Sequence, residues 1–228
     1  MNTSIILKSA LFAGIEKSQL ESLLGCLSAT QRVCKKGEFI FLAGKEAASV
    51  GLVMSGSVHI LQEDSWGNRM ILARFGPGEL FGEAFSCAGA ERLPVSVIAA
   101  ARSEILLIDY RKIVTSCSAA CVFHARLVEN MLRILAEKNI LLTRKLAYFS
   151  QRTIRGKLLS FLSDQAIREG SDAKNTVVEI AFNRQELADY LCVDRSALSR
   201  ELGAMQSEGL IRYRKNRFEI MANDGQRQ

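Results

Sequence analysis

Only two of the 228 residues are proline, two are histidine and one is tryptophan, and no Cys-x-x-Cys pair occurs among the six cysteines. Scarce proline beside 48% hydrophobic residues excludes disorder as the main state. Cysteines at 26, 34, 87, 117, 121 and 192 are too scattered for a disulfide framework and read as reduced, partly buried thiols. No window reaches the roughly 18 to 20 uncharged apolar residues that span a bilayer, and the apolar run within residues 1–11 lacks a basic region or a cleavage pattern. The expectation is a cytoplasmic protein with no membrane partner. No nucleophile with its base and no carboxylate pair can be named, so nothing calls for an enzyme.

A large excess of either charge is missing too. Lys plus Arg number 30 against 24 Asp plus Glu, with 17 and 13 in residues 1–150 and 13 and 11 in residues 151–228. Neither part is basic enough to imply nucleic-acid binding by charge alone, so local clustering must carry that inference. The length suits two small domains, each burying its own core.

Short β-rich runs punctuated by glycine fill residues 32–110. Strands are expected at 38–42, 50–54, 58–62, 70–75, 95–99 and 105–108, which describes an antiparallel sandwich or barrel. Gly37, Gly56 and Gly67 fall where tight reversals need positive φ. Residues 18–27 have helix spacing ahead of the strands.

Lys36-Gly37-Glu38, Leu52-Val53-Met54-Ser55-Gly56-Ser57-Val58 and Phe75-Gly76-Pro77-Gly78-Glu79-Leu80-Phe81-Gly82-Glu83 resemble successive turns of the cyclic-nucleotide-binding fold. More specifically they resemble the sensor domain of the cyclic-AMP receptor protein and fumarate-nitrate-reduction regulator (CRP/FNR) family. The resemblance implies a phosphate-binding loop and short helix after Gly82-Glu83, where helix-start amides and an arginine hold an anion. Arg92 stands close to the phosphate-ligating position, but Leu93 and Pro94 replace the small residues of the family's nucleotide binders, and Pro94 removes an amide donor. Cyclic AMP stays among the candidate effectors, behind another small molecule or a redox signal. Glu83 and Arg92 read equally well as a loop-fixing ion pair.

Residues 121–149 contain neither glycine nor proline. Val128, Leu132, Leu135, Asn139, Leu142, Leu146 and Phe149 recur at alternating spacings of four and three, the heptad seam of a long helix. A helix lying on its own barrel would also show an apolar stripe; a parallel homodimer is the favoured reading. Asn139 is the one polar residue in the seam, where a buried asparagine fixes register. By resemblance to the family's dimerisation helix, Asn139 also faces the ligand pocket, which makes it an effector contact.

Further on, residues 153–166 form an amphipathic helix, 168–175 a polar loop and 177–181 a short strand. Residues 184–191 make a helix with Leu187, Ala188 and Leu191 inward. Cys192-Val193-Asp194 is a tight turn, and Asp194 caps the next helix, 195–207. Leu198, Leu202 and Met205 face inward there, while Arg195, Ser196, Ser199, Arg200 and Gly203 share the opposite side. Two arginines and two serines without a carboxylate suit a major groove, since Arg forks onto guanine and Ser bonds bases or phosphates. Strands at 210–213 and 217–221 then form a hairpin whose Arg212, Arg214, Lys215 and Arg217 would meet phosphates.

Asn183-Arg184-Gln185-Glu186-Leu187-Ala188, Arg195-Ser196-Ala197-Leu198-Ser199-Arg200-Glu201-Leu202 and Glu208-Gly209-Leu210-Ile211 resemble the CRP/FNR family's winged helix-turn-helix. The resemblance implies that Asn183, Arg184 and Gln185 hold the DNA backbone and that Ser199 and Arg200 read bases. Ser196 stands where the family often has a glutamate that accepts from cytosine, which puts the usual operator half-site in doubt. Cys192 stands near a position where glycine is common.

The fold class expected is therefore α+β, with a β-barrel sensor in residues 1–120, a dimerisation helix in 121–150 and a winged helix-turn-helix in 151–228. The function expected is that of an effector-responsive transcription regulator, a homodimer on a two-fold symmetric operator with RNA polymerase as a further partner. The alternative is a ligand-binding module acting on a protein. Residues 1–25 hold no cysteine, against an iron–sulfur cluster of the fumarate-nitrate type. Cys117 and Cys121, four apart, could form a soft-metal or thiol-sensing pair but bring only two ligands. His59 on a strand and His124 on a helix read as surface or hydrogen-bonded residues rather than haem ligands. No metal site is expected.

Overall fold

The computed structural model describes residues 3–46, 49–115, 122–168 and 176–221. The chain divides into two compact units, Met1–Lys138 and Asn139–Gln228. Helix α5, Val122–Phe149, contributes to both.

In the first unit, helix α1 (Thr3–Lys8), a 3-10 turn (Ala10–Phe12) and helix α2 (Lys17–Cys26) precede the strands. Strands β1 (Thr30–Cys34), β2 (Phe39–Phe41), β3 (Ser49–Ser55), β4 (Val58–Glu63), β5 (Arg69–Phe75) and β6 (Leu80–Phe81) follow. After the short helix α3 (Glu83–Cys87) come β7 (Ser96–Ala99), β8 (Ser103–Asp109) and helix α4 (Tyr110–Val114). The strands form two four-stranded antiparallel sheets, in the orders β1-β8-β3-β6 and β2-β7-β4-β5. Two antiparallel sheets are the sandwich-or-barrel arrangement expected. Gly37, Gly56 and Gly67 all have positive φ at their reversals, as expected.

Strand β3 explains how the sheets are held. Alternate side chains point to opposite faces of a strand. Val53 joins Val58, Ile60, Phe81, Val97 and Ile105 between the sheets. Val50, Leu52 and Met54 face the other way, into a second core with Leu11, Phe12, Leu20, Leu27, Leu127, Met131 and Ile134. One sheet is therefore buried on both faces, by its partner sheet and by helices. Gly51 lies opposite Phe81 in the ladder, and a Cβ there would sit 2.1 Å from the Phe81 ring.

Strands β1 and β6 and the buried N-terminal segment were not expected from pattern. Strand β1 shows four exposed or half-exposed residues before its one buried Cys34, so it lacks a clean alternation. Strand β6 is only two residues long. Asn130 on α5 is buried and donates through Nδ2 to the carbonyls of Leu11 and Ala13, each at 2.9 Å. Those bonds satisfy two backbone groups that the N-terminal turn leaves unpaired.

In the second unit, helix α6 (Ile154–Arg168), strand β9 (Val177–Glu179), helices α7 (Arg184–Leu191) and α8 (Arg195–Ser207), and strands β10 (Ile211–Arg214) and β11 (Arg217–Ile220) follow the end of α5. The three strands make one antiparallel sheet, β10-β11-β9. Leu158, Phe161, Leu162, Leu187, Leu191, Leu198, Leu202, Met205 and Phe218 form its buried interior. Of the polar loop expected at 168–175, only Arg168, at the end of α6, is among the described residues.

Gly51→Ala should lower the urea unfolding free energy by about 1 to 3 kcal/mol, because the Phe81 ring cannot retreat between two sheets. Gly51→Ala/Phe81→Leu should recover most of that loss; an equal loss in the double variant would mean that the ring is not the obstacle.

Candidate nucleic-acid interface and sensor loop

Helix α7 begins with a reciprocal cap. The Asn183 side chain accepts from Glu186 N at 3.0 Å, and Glu186 Oε2 accepts from Asn183 N at 2.8 Å. It ends on Cys192 at φ 54°, in the left-handed region where glycine costs least. Asp194 then opens α8, accepting from Ala197 N at 2.8 Å and from Ser196 Oγ at 2.5 Å. These bonds hold the Asp194 carboxyl below the usual range, the Ser196 hydroxyl contributing most.

Along α8, Leu198, Leu202 and Met205 are fully buried, while Arg195, Ser196, Ser199 and Arg200 are exposed. Two of the three acids at this helix, Glu201 and Glu208, are drawn aside. Arg155 of α6 donates to Glu201 Oε1 at 2.6 Å and, through both terminal nitrogens, to Glu208 at 2.7 and 2.9 Å. This clamp, between residues 46 and 53 positions apart, was not visible in the sequence. It leaves the outer face of α8 with arginines and hydroxyls.

Arg212, Arg214, Lys215 and Arg217 are exposed on the β10–β11 hairpin. Arg214 and Arg217 are direct ladder partners, an arrangement of like charges that an added anion relieves. Arg184 takes an internal position. Its guanidinium lies 5.2 Å from the Tyr213 ring centre and 5.5 Å from that of Phe218, and Nη2 donates to Lys215 O at 3.3 Å. Burial pushes its pKa down. Arg184 thereby braces the hairpin against the start of α7. Gln185 Nε2 donates to Asp189 at 2.8 Å.

Lys145 of α5 was also missed by pattern. It is only 8% exposed, with Nζ 3.9 Å from the Tyr190 ring centre and 5.2 Å from that of Phe149. Desolvation lowers its pKa to about 8.

In the first unit, Gly82 precedes α3 at φ 84°, and its Cβ position would meet the Phe41 ring at 3.1 Å. Glu83 is buried and bonds Lys138 Nζ at 2.8 Å. Arg92 is exposed, so the structure pairs Glu83 with Lys138 instead of the expected Arg92. Leu93 is buried and fixes its loop through Gly44 N to Leu93 O and Leu93 N to Lys45 O, both 2.8 Å. Asn139 belongs to the second unit, exposed, its carbonyl accepting from Thr143 Oγ1 at 3.0 Å.

His59 and His124 are 4% and 5% exposed, so the surface alternative of the expected surface or hydrogen-bonded reading fails for both. Among the described residues no group of three or more His, Cys, Asp or Glu could hold a metal ion. Cys117 and Cys121 lie outside the described residues. No helix among those described is long and apolar enough to cross a membrane.

Of the coiled-coil seam, Leu132, Leu142 and Leu146 are 63%, 61% and 68% exposed, and Val128, Leu135 and Phe149 are half-buried. The stripe beside it, Leu127, Met131 and Ile134, is the one that packs on the chain's own core.

Residues 31–119 match the cyclic nucleotide-binding domain family, and residues 156–225 match the Crp-like helix-turn-helix domain family. The CRP-like protein Clp of Xanthomonas euvesicatoria pv. vesicatoria (strain 85-10) is 24% identical over 176 residues, 77% of this chain and 76% of that protein. Among solved structures, the c-di-GMP responsive global regulator CLP of Xanthomonas campestris aligns with a TM-score of 0.70 at 22% identity, over 91% of this chain and 100% of the other. A CooA mutant from Carboxydothermus hydrogenoformans aligns with a TM-score of 0.72 at 19% identity, over 94% and 90% of the two chains. These structural likenesses are likenesses of fold.

Because the folded state holds Lys145 at about 8 and the unfolded chain at 10.5, the unfolded state binds more protons between those values. Stability should therefore rise from pH 8 to pH 10, relieving a penalty of up to about 3 kcal/mol that is fully present below pH 8. Urea titrations of wild type and Lys145→Met test this; the same rise in both would exclude Lys145 as its source.

Proposed function

This chain belongs to the CRP/FNR family of effector-responsive, DNA-binding transcription regulators, and we propose that it acts as a homodimer on a two-fold symmetric operator. In this reading residues 1–120 sense the effector, 121–150 dimerise and 151–228 bind DNA. The observation that carries the DNA-facing assignment is the exposed face of α8. Arg195, Ser196, Ser199 and Arg200 are exposed together, the neighbouring acid Asp194 being engaged in capping the helix, beside a hairpin bearing four cations. Ser199 and Arg200 read base edges, with Arg200 forking onto guanine. Arg195, Arg212, Arg214, Lys215 and Arg217, with the helix start at Asn183 and Gln185, hold phosphates. Arg184 contributes by bracing the hairpin. Ser196 donates to Asp194 and, while that bond holds, reads a base only as an acceptor.

The exposed seam supports the dimer. Isolated exposed leucines are ordinary, but Leu132, Leu142 and Leu146 recur along one line of a single helix. A second copy of α5, laid parallel, covers them, with Val128, Leu135 and Phe149 at the margins and the two Asn139 side chains facing each other. That pairing sets two α8 helices about one DNA turn, ~34 Å, apart. Gly82, Glu83, Arg92 and Asn139 are the residues proposed to meet the effector. Effector binding shifts the balance between two packings of the paired helices and is read as operator affinity. RNA polymerase is the partner through which occupancy becomes regulation.

Arg200→Ala should cost about 1 to 3 kcal/mol on a duplex selected from a random library and relax preference at one base pair, whereas Lys215→Ala should weaken selected and random duplexes alike. Fluorescence anisotropy on both duplexes checks this, and equal losses from both variants on both duplexes would reverse the assignment of reader and anchor. Light scattering should give twice the chain mass for wild type and one chain mass for Leu142→Glu/Leu146→Glu. A wild type that remains a single chain at high concentration with its selected duplex would end the dimer reading.

A further inference from the structure

Leu127, Met131 and Ile134 attach α5 to the core of the first unit, and the next position on that stripe is Lys138. An apolar residue there would simply extend the packing. Lys138 instead places its ammonium against three elements at once. Nζ donates to Leu80 O of β6 at 2.5 Å and to Glu83 Oε1 of α3 at 2.8 Å, and lies 4.4 Å from the centre of the Phe75 ring of β5. The Glu83 side chain is 4% exposed and that of Lys138 23%. Desolvation lowers the Lys138 pKa, against the opposing pull of Glu83.

Glu83 keeps one buried oxygen, Oε2, without a hydrogen-bond partner. Such an atom is costly to bury. A buried ion pair generally holds two elements no better than well-packed apolar residues would, and it is strongly disfavoured when one partner is withdrawn. The pair at this position is thus a poor permanent fastener and a sensitive one. A donor that reached this enclosed oxygen would compete with Lys138 for the carboxylate.

We propose that the Glu83–Lys138 pair is a releasable latch that ties α5 to the sensor sheets, opened by a small molecule that presents a hydroxyl, amine or amide donor to Glu83. The latch rests on the reading of the α3 loop as the effector site. It supplies that reading with a mechanical step: the donor competes for the carboxylate, Lys138 loses its anion, and the last sensor-held turn of α5 comes free. Neither charge need enter or leave the chain.

Hydrogen exchange on the full chain, followed by mass spectrometry, tests the latch. Lys138→Met keeps the apolar stem, Glu83→Gln keeps the shape of the carboxyl, and Glu83→Gln/Lys138→Met leaves no charge unpaired. Amides of residues 135–138 should exchange at least tenfold faster in each single variant and no faster in the double variant than in either single. Amides of residues 127–134 should keep their protection, which shows that the unit remains folded. The affinity for a library-selected duplex should shift in the same direction and at least fivefold in all three variants. Unchanged exchange at 135–138 in the double variant would overturn the latch even if a single variant failed to fold. Faster exchange with unchanged duplex affinity would overturn its regulatory role. A wild type that binds no duplex would instead remove the DNA reading, and the exchange data would still judge the latch.

Discussion

A 28-residue helix carries more apolar surface than the unit around it covers, and the rest of the structure follows from how that surplus is divided. One stripe of α5, through Leu127, Met131 and Ile134, closes the helical core against β3 and β8. The neighbouring line, through Leu132, Leu142 and Leu146, stays exposed. Burial at roughly 25 cal/mol per Å² favours covering that line as well, and a second copy offers the same line in return. The helix is therefore a structural part of the fold and the surface on which the proposed dimer depends.

Buried polar groups decide where the fold is firm and where it yields. Asn130 meets two backbone carbonyls and leaves none of the three groups wanting, so it anchors the N-terminal segment. Glu83 and Lys138 satisfy each other only in part, and one carboxylate oxygen is left over. Lys145 lies over two aromatic faces. These four side chains lie on or against one helix, Asn130 being fully satisfied and the Glu83–Lys138 pair only in part. That gradient is what a helix needs if it is to be fixed at one place and movable at another.

In the second unit helix α8, the proposed recognition helix, owes its character to residues outside it. Glu201 and Glu208 belong to α8 and its end, yet Arg155 of α6 holds both. Without that guanidinium the acids would lie free near the exposed arginines of α8 and oppose an approaching anion. Arg184 plays a similar part for the hairpin, where its stacking on Tyr213 and Phe218 stiffens the strands that carry the exposed cations. Both arginines serve the surface from beneath it.

Local pattern alone determined most elements of this protein. The glycine-marked reversals, the unbroken helix after the strands and the cap at Asp194 followed by α8 all depend on residues within one or two turns of each other. So did the face of α8 that carries Arg195, Ser196, Ser199 and Arg200, since helical periodicity places them together whatever surrounds the helix. Only the tertiary structure decided which neighbouring stripe of α5 is covered, that Glu83 takes Lys138 in place of Arg92, that Arg155 gathers two distant acids, and that both histidines are buried. Strand β1 escaped pattern because its pairing with β8, 69 to 77 residues away, and not its own alternation makes it a strand. Such partners are chosen by which side chains close packing brings within about 3 Å, and that selection is made across the chain, beyond the reach of any short spacing.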